Sequence, residues 1–115
     1  MGAPTKSLLL FRGGIRTITK TLADGQEHKL YYKARTPNEL AHHFGAEEAF
    51  SKDADGQVAR QKHRARFIAD AMCNEDGTQF VTIAEAEKIL GSLKAELCNL
   101  IIVGSNEIDS EAGKD

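Results

Sequence analysis

Apolar positions recur with two different periods along the chain, and the change of period divides it. From Ile15 the stretch "IRTITKTL" alternates, with Thr17, Thr19 and Thr21 on one face and Ile18 and Leu22 on the other. β-Branched residues at period two are the pattern of a half-buried strand. "ADGQ" supplies an Asp24-Gly25 turn and "EHKLYYKAR" returns, so a β-hairpin is expected over about 15–33. Ahead of it, Thr5 to Arg12 reads as a short helix or an extra strand, closed by Gly13-Gly14.

Beyond the hairpin the period becomes helical. In "TPNELAHHF" Thr36 stands at the N-cap, Pro37 at N1 and Glu39 at N3, a capping box that starts a helix running to Gly45 or Phe50. "SKDADGQ", Ser51 to Gln57, is a polar loop. A second helix is expected over Val58 to Asn74, with Val58, Ala65, Ile68 and Met72 on one stripe and Phe67 and Ala71 beside it. Thr82 and Glu85 form another capping box for a helix to Leu90. Gly91-Ser92 breaks it, and Ser92 is the expected cap of a last helix carrying Leu93, Leu97, Leu100 and Ile101. The expected fold is therefore α+β, an N-terminal hairpin followed by about four helices. It forms a single domain over 1–104, with an acidic, disordered tail over 105–115.

Composition narrows the chemistry. The chain has 115 residues, 41% apolar and 28% charged, with a formal net charge of −2. That balance disfavours a nucleic-acid binder, whose affinity rests on many cations. The N-terminus lacks the apolar run of a secretion signal, and no stretch is long enough to span a membrane. Cys73 and Cys98 are expected to be reduced and buried.

Three stretches present candidate sites. Asn74, Asp76, Thr78 and Glu85 fall at positions 1, 3, 5 and 12 of a calcium loop, but position 6 is Gln79 where glycine is needed, and Glu85 suits Thr82's capping box better. His42 and His43 are adjacent and cannot chelate together, so zinc is disfavoured; all four histidines are read as solvated surface. "RQKHRAR", with Arg60 and Arg64, reads as a solvated basic face or a patch for an acidic protein partner. No nucleophile or phosphate-loop motif stands out, so no catalysis, metal or cofactor is expected. The stretch "FIADAMCNEDGTQFVT" is then a corner: Asn74 or Gly77 ends one helix in a left-handed conformation, and Phe80 and Val81 drop into the core.

The same corner carries a family resemblance. A hairpin, a Pro/Asn/Glu-started helix and then "RARFIADAMCNEDGTQFVTIAEAEKI" resembles the tail assembly chaperones of long-tailed phages with non-contractile tails. There a helix often runs into a C-x-[ED]-D-G-x-x-x-F corner, here Cys73, Glu75, Asp76, Gly77 and, offset, Phe80. The Trp-Gly-Gly often found at the hairpin's start is absent, with Gly13-Gly14 answering to part of it. The resemblance covers about 15–103. It implies a non-enzymatic protein that coats the tape measure protein, assembles as rings or spirals in the host cytoplasm, and leaves before the virion matures. It also implies a form extended by a −1 frameshift that recruits tail tube protein. Ala112-Gly113-Lys114 is compatible with a slippery sequence there. Another small tail or head-tail structural protein is the alternative.

Candidate interface residues follow from the apolar excess of "LCNLIIVG", where Leu100, Ile101, Ile102 and Val103 are either core or a subunit or client surface. Tyr31 and Tyr32 point to opposite faces of their strand, so one of them is free to meet a partner.

Overall fold

The hairpin forms as its alternation requires. The computed structural model describes residues 13–107; Thr5 to Arg12 and the tail beyond Glu107 lie outside them. Strands β1 (Ile15–Thr21) and β2 (Glu27–Lys33) pair antiparallel, with Ile15 opposite Lys33, Ile18 opposite Leu30 and Thr21 opposite Glu27. Gly25 takes a φ of 78°, which an L side chain rarely adopts, and its N–H donates to Leu22 O at 2.9 Å to close the turn. Arg16, Ile18 and Lys20 face inward, while the threonines lie exposed on the outer face.

Helix α1 (Pro37–Ser51) starts at the expected capping box, Thr36 and Glu39 each accepting from the other's backbone N–H. Helix α2 (Gly56–Ala71) stops three residues short of the expected end. Met72–Cys73 instead become a two-residue strand, β3, with Tyr31 opposite Cys73 and Tyr32 opposite Met72. The open edge of β2 offers these residues ladder partners that a helix end would not, and both side chains are buried there. The sheet order is β1-β2-β3, wholly antiparallel, and the protein is α+β.

Helix α3 (Ile83–Glu87) begins at the Thr82–Glu85 capping box, as expected. Helix α4 (Gly91–Asn106) does not begin at Ser92: its N-cap is Leu90, which offers no side-chain oxygen, and Ser92 lies inside the first turn. α4 also runs two residues past the expected domain boundary, because Ser105 is buried and its Oγ accepts from Arg35 N–H at 2.9 Å.

α2 is the hub, packing against α1, α3 and α4. Its buried Ala65, Ala69 and Ala71 let those elements approach closely, and Ile68 with Ile101 of α4 forms the fully enclosed centre. Val58, expected on the apolar stripe, is 65% exposed, because it lies in the first turn of α2, ahead of the buried stretch. The hairpin closes on the end of α4: Arg16 Nη1 donates to Gly104 O and, at 3.0 Å, to Glu107 O. These carbonyls lie at the C-terminal end of α4, where a cation is favoured, and Gly104 O also accepts from Glu107 N–H at 3.3 Å. Lys20 Nζ adds an ion pair to Glu96 at 2.5 Å.

Candidate functional site

The residues singled out by sequence separate once folded. Ile101 is wholly enclosed, Leu100 and Ile102 are half-buried against the core, and only Val103 stands out, at 48% exposure. Most of the apolar excess of α4 is therefore core. Tyr32 is buried too: its hydroxyl lies against the Gly104 backbone, and burial pushes its pKa up while nearby Arg16 opposes the shift. Tyr31, on the other face, stays partly exposed.

Arg60 and Arg64 are not a solvated basic face. Both turn onto Glu47 of α1. Arg64 donates from Nε and Nη2 to the two carboxylate oxygens at 2.9 and 3.3 Å. Arg60 Nη2 donates to Glu47 O at 3.2 Å, and its Nε lies 2.8 Å from Glu47 Oε2 as an ion pair outside hydrogen-bond geometry. The charge run is divided: Arg60 and Arg64 form a clamp between α1 and α2 on a carboxylate 13 and 17 residues earlier, while Lys62 and Arg66 stay exposed.

The histidines depart furthest from expectation. His43 is 4% exposed, and its Nδ1 lies 2.8 Å from His63 Nε2 across the α1–α2 joint. The two rings meet edge to edge, 23° from parallel with centroids 4.8 Å apart, and Phe67 packs on His43 at 4.4 Å. Burial, the main cause, lowers the pKa of both rings; each also feels the Arg64 charge, while Glu47 partly opposes the shift. Beside the pair opens a cleft of about 430 Å³ between the helices, lined also by His42, Arg66 and Asp70. No periodic signal announced this pair, because histidine on a helix reads as polar.

The corner after β3 is built as a tight return. Asn74 N–H donates to Thr78 O at 2.8 Å, and Gly77 holds a φ of 90°. Asp76 Oδ1 accepts from Thr78 N–H at 3.0 Å and from Thr78 Oγ1 at 2.6 Å. These bonds to the charged form keep the Asp76 carboxyl below its usual range. Asn74 Nδ2 donates to Thr78 Oγ1 at 3.0 Å. Glu85 is held in its capping box. Asp76, Thr78 and Glu85, three of the residues at the calcium-loop spacing, thus spend side-chain oxygens on the turn and on a helix start. Among the described residues no group of three or more His, Cys, Asp or Glu is placed to hold a metal.

Phe80 does not enter the core. A bridge pairs Cys73 with Gln79, which holds the returning chain flat and turns Phe80 outward at 49% exposure while Val81 packs inward. Phe80 and Tyr31 line a shallow groove of about 130 Å³ on the outer side of the sheet, with Lys29 and Glu75 at its rim. Ile15, 43% exposed, reaches Gly77 of the same corner.

Both cysteines are buried free thiols. Burial pushes Cys98 up to about 12 and raises Cys73 as well, with Lys33 and Arg35 opposing in the second case. Among the described residues no helix is long and apolar enough to cross a membrane. No protein-family model, curated protein or solved structure matches the chain.

Proposed function

We propose that this chain is a non-enzymatic tail assembly chaperone of a long-tailed phage. It coats the tape measure protein in the host cytoplasm as a homo-oligomer, and a frameshift-extended form recruits tail tube subunits. One observation carries the reading. The corner that resembles the family keeps its cysteine buried and its glycine left-handed, and it sets Phe80 outward beside Tyr31 and Ile15 on an exposed sheet face. Aromatic and aliphatic groups with a charged rim suit weak, repeated contacts with an amphipathic helical client. The chemistry-bearing side chains point the same way. The thiols are buried, Arg60 and Arg64 clamp Glu47, and Asp76 and Glu85 hold their own turns.

The reading requires a tape measure gene beside this one, and the test is co-expression with its product. The chaperone reading expects that protein to become soluble and to co-purify, and expects Phe80→Ser to reduce recovery without lowering the chaperone's own stability. A client that stays insoluble, or the chain found as a stoichiometric component of purified virions, would overturn it.

A further inference from the structure

Like α3 and α4, α1 packs against the other helices mainly through α2, and the buried apolar side chain it gives the core is Leu40. The rest of the α1–α2 joint combines the Phe50–His63 and His43–Phe67 ring contacts with two polar ties, the Glu47 clamp and the His43–His63 contact. At 2.8 Å one imidazole nitrogen must donate and the other must accept, so the contact needs a lone pair on one ring. Two imidazolium rings would bring two N–H groups face to face and place two like charges 4.8 Å apart.

The surroundings do not neutralise that charge. On α1 the facing groups are His42, Glu39 and Glu47, and on α2 they are Arg60, Arg64, Arg66 and Asp70. Arg35, ahead of α1, pairs with Glu39 at 2.9 Å. Glu47, the carboxylate nearest His43 Nε2 at 3.9 Å, already answers two guanidinium groups.

We propose that the His43–His63 pair is a proton-operated latch: when both rings are protonated, α1 swings away from α2 and exposes Phe67. The segments at either end of α1 serve as the hinges. The Arg35–Ser105 bond holds the chain ahead of α1 to the body, and Asp53 O holds the Gly56 N–H at the start of α2. The latch rests on the joint's geometry and stands whether or not the chaperone reading holds.

The sign follows from the rings' environment. Both rings are held below the ordinary histidine value in the closed form. The closed joint is therefore fully favoured above the ordinary histidine range and is lost as pH falls through the lowered values.

Amide hydrogen exchange of the full chain tests this, with rates corrected for the intrinsic effect of pH. Between pH 7.5 and 5.0 the opening of α1 should increase at least about tenfold, steepening toward about hundredfold per pH unit where two protons are taken up. The amides of β1 and β2 should not follow. His63→Gln keeps a side chain that can hydrogen-bond but cannot take up a proton, and it should flatten the response. If that variant does not fold, ring titration by NMR in the unaltered protein decides. Histidine midpoints in the ordinary exposed range, or an undiminished response in His63→Gln, would overturn the latch.

Discussion

Gly56 offers a sharp test of the α1–α2 corner. It is buried at the start of α2, and its N–H donates to Asp53 O at 3.0 Å. A Cβ built there would lie 2.7 Å from the carbonyl carbon of Phe50 and 3.2 Å from its Cα, and closer still to its oxygen. The obstacle is backbone, so no side-chain rotation relieves it. Gly56→Ala must shift the end of α1 or unwind the first turn of α2. Overpacking of this kind costs about 1–3 kcal/mol or somewhat more. The ordinary helical gain of alanine over glycine, about 1 kcal/mol at most, offsets only part of it. Because the obstacle is backbone the cost falls at the upper end, so the expected net destabilisation is about 2 kcal/mol, a fall in Tm of roughly 6–12 °C for a domain of this size. Urea and thermal unfolding, followed by circular dichroism, measure it. The control is Gly45→Ala in mid-α1, where a Cβ meets nothing within 4 Å and the helix should gain up to about 1 kcal/mol. A Gly56→Ala protein as stable as the parent would refute the account of the corner.

Three further outcomes are expected. Ile101→Ala should cost about 2–5 kcal/mol because the side chain is wholly enclosed, whereas exposed Val103→Ser should stay within about 0.5 kcal/mol by denaturant unfolding. Thr82→Ala removes the hydroxyl that accepts from Glu85 N–H and should lower stability by about 1 kcal/mol in the same assay. Cys98, its thiol pushed up to about 12, should react with a thiol reagent at pH 8 no faster than the protein opens, so that denaturant rather than added base releases it; rapid labelling of the native protein would contradict its burial.

Local grammar carried much of the fold. Both capping boxes are two-residue codes with one structural solution, and the hairpin register follows from alternation plus Asp24-Gly25. What escaped depends on distant partners. Met72 and Cys73 continue the helical pattern of α2, and only the open edge of β2 recruits them into a sheet. His43 and His63 are separated by 20 residues, and each alone looks like solvated surface; burial arises only when α1 folds back on α2. Phe80 misled for the opposite reason. An aromatic after a turn suggests core, but the Cys73–Gln79 bridge fixes the side on which it emerges. The apolar run of α4 left core and interface equally open, and the fold assigns Ile101 to the first and leaves only Val103 largely outside.

The bond from Arg16 to the carbonyls of Gly104 and Glu107 spans 88 and 91 residues of sequence. During synthesis the hairpin leaves the ribosome first, yet the surface that seats Tyr32 is made among the last residues described. Until then the strands carry an unsealed aromatic, and Arg16 lacks its two bonds to α4. Nascent chains stalled before residue 104 should therefore be more readily digested by protease than released ones.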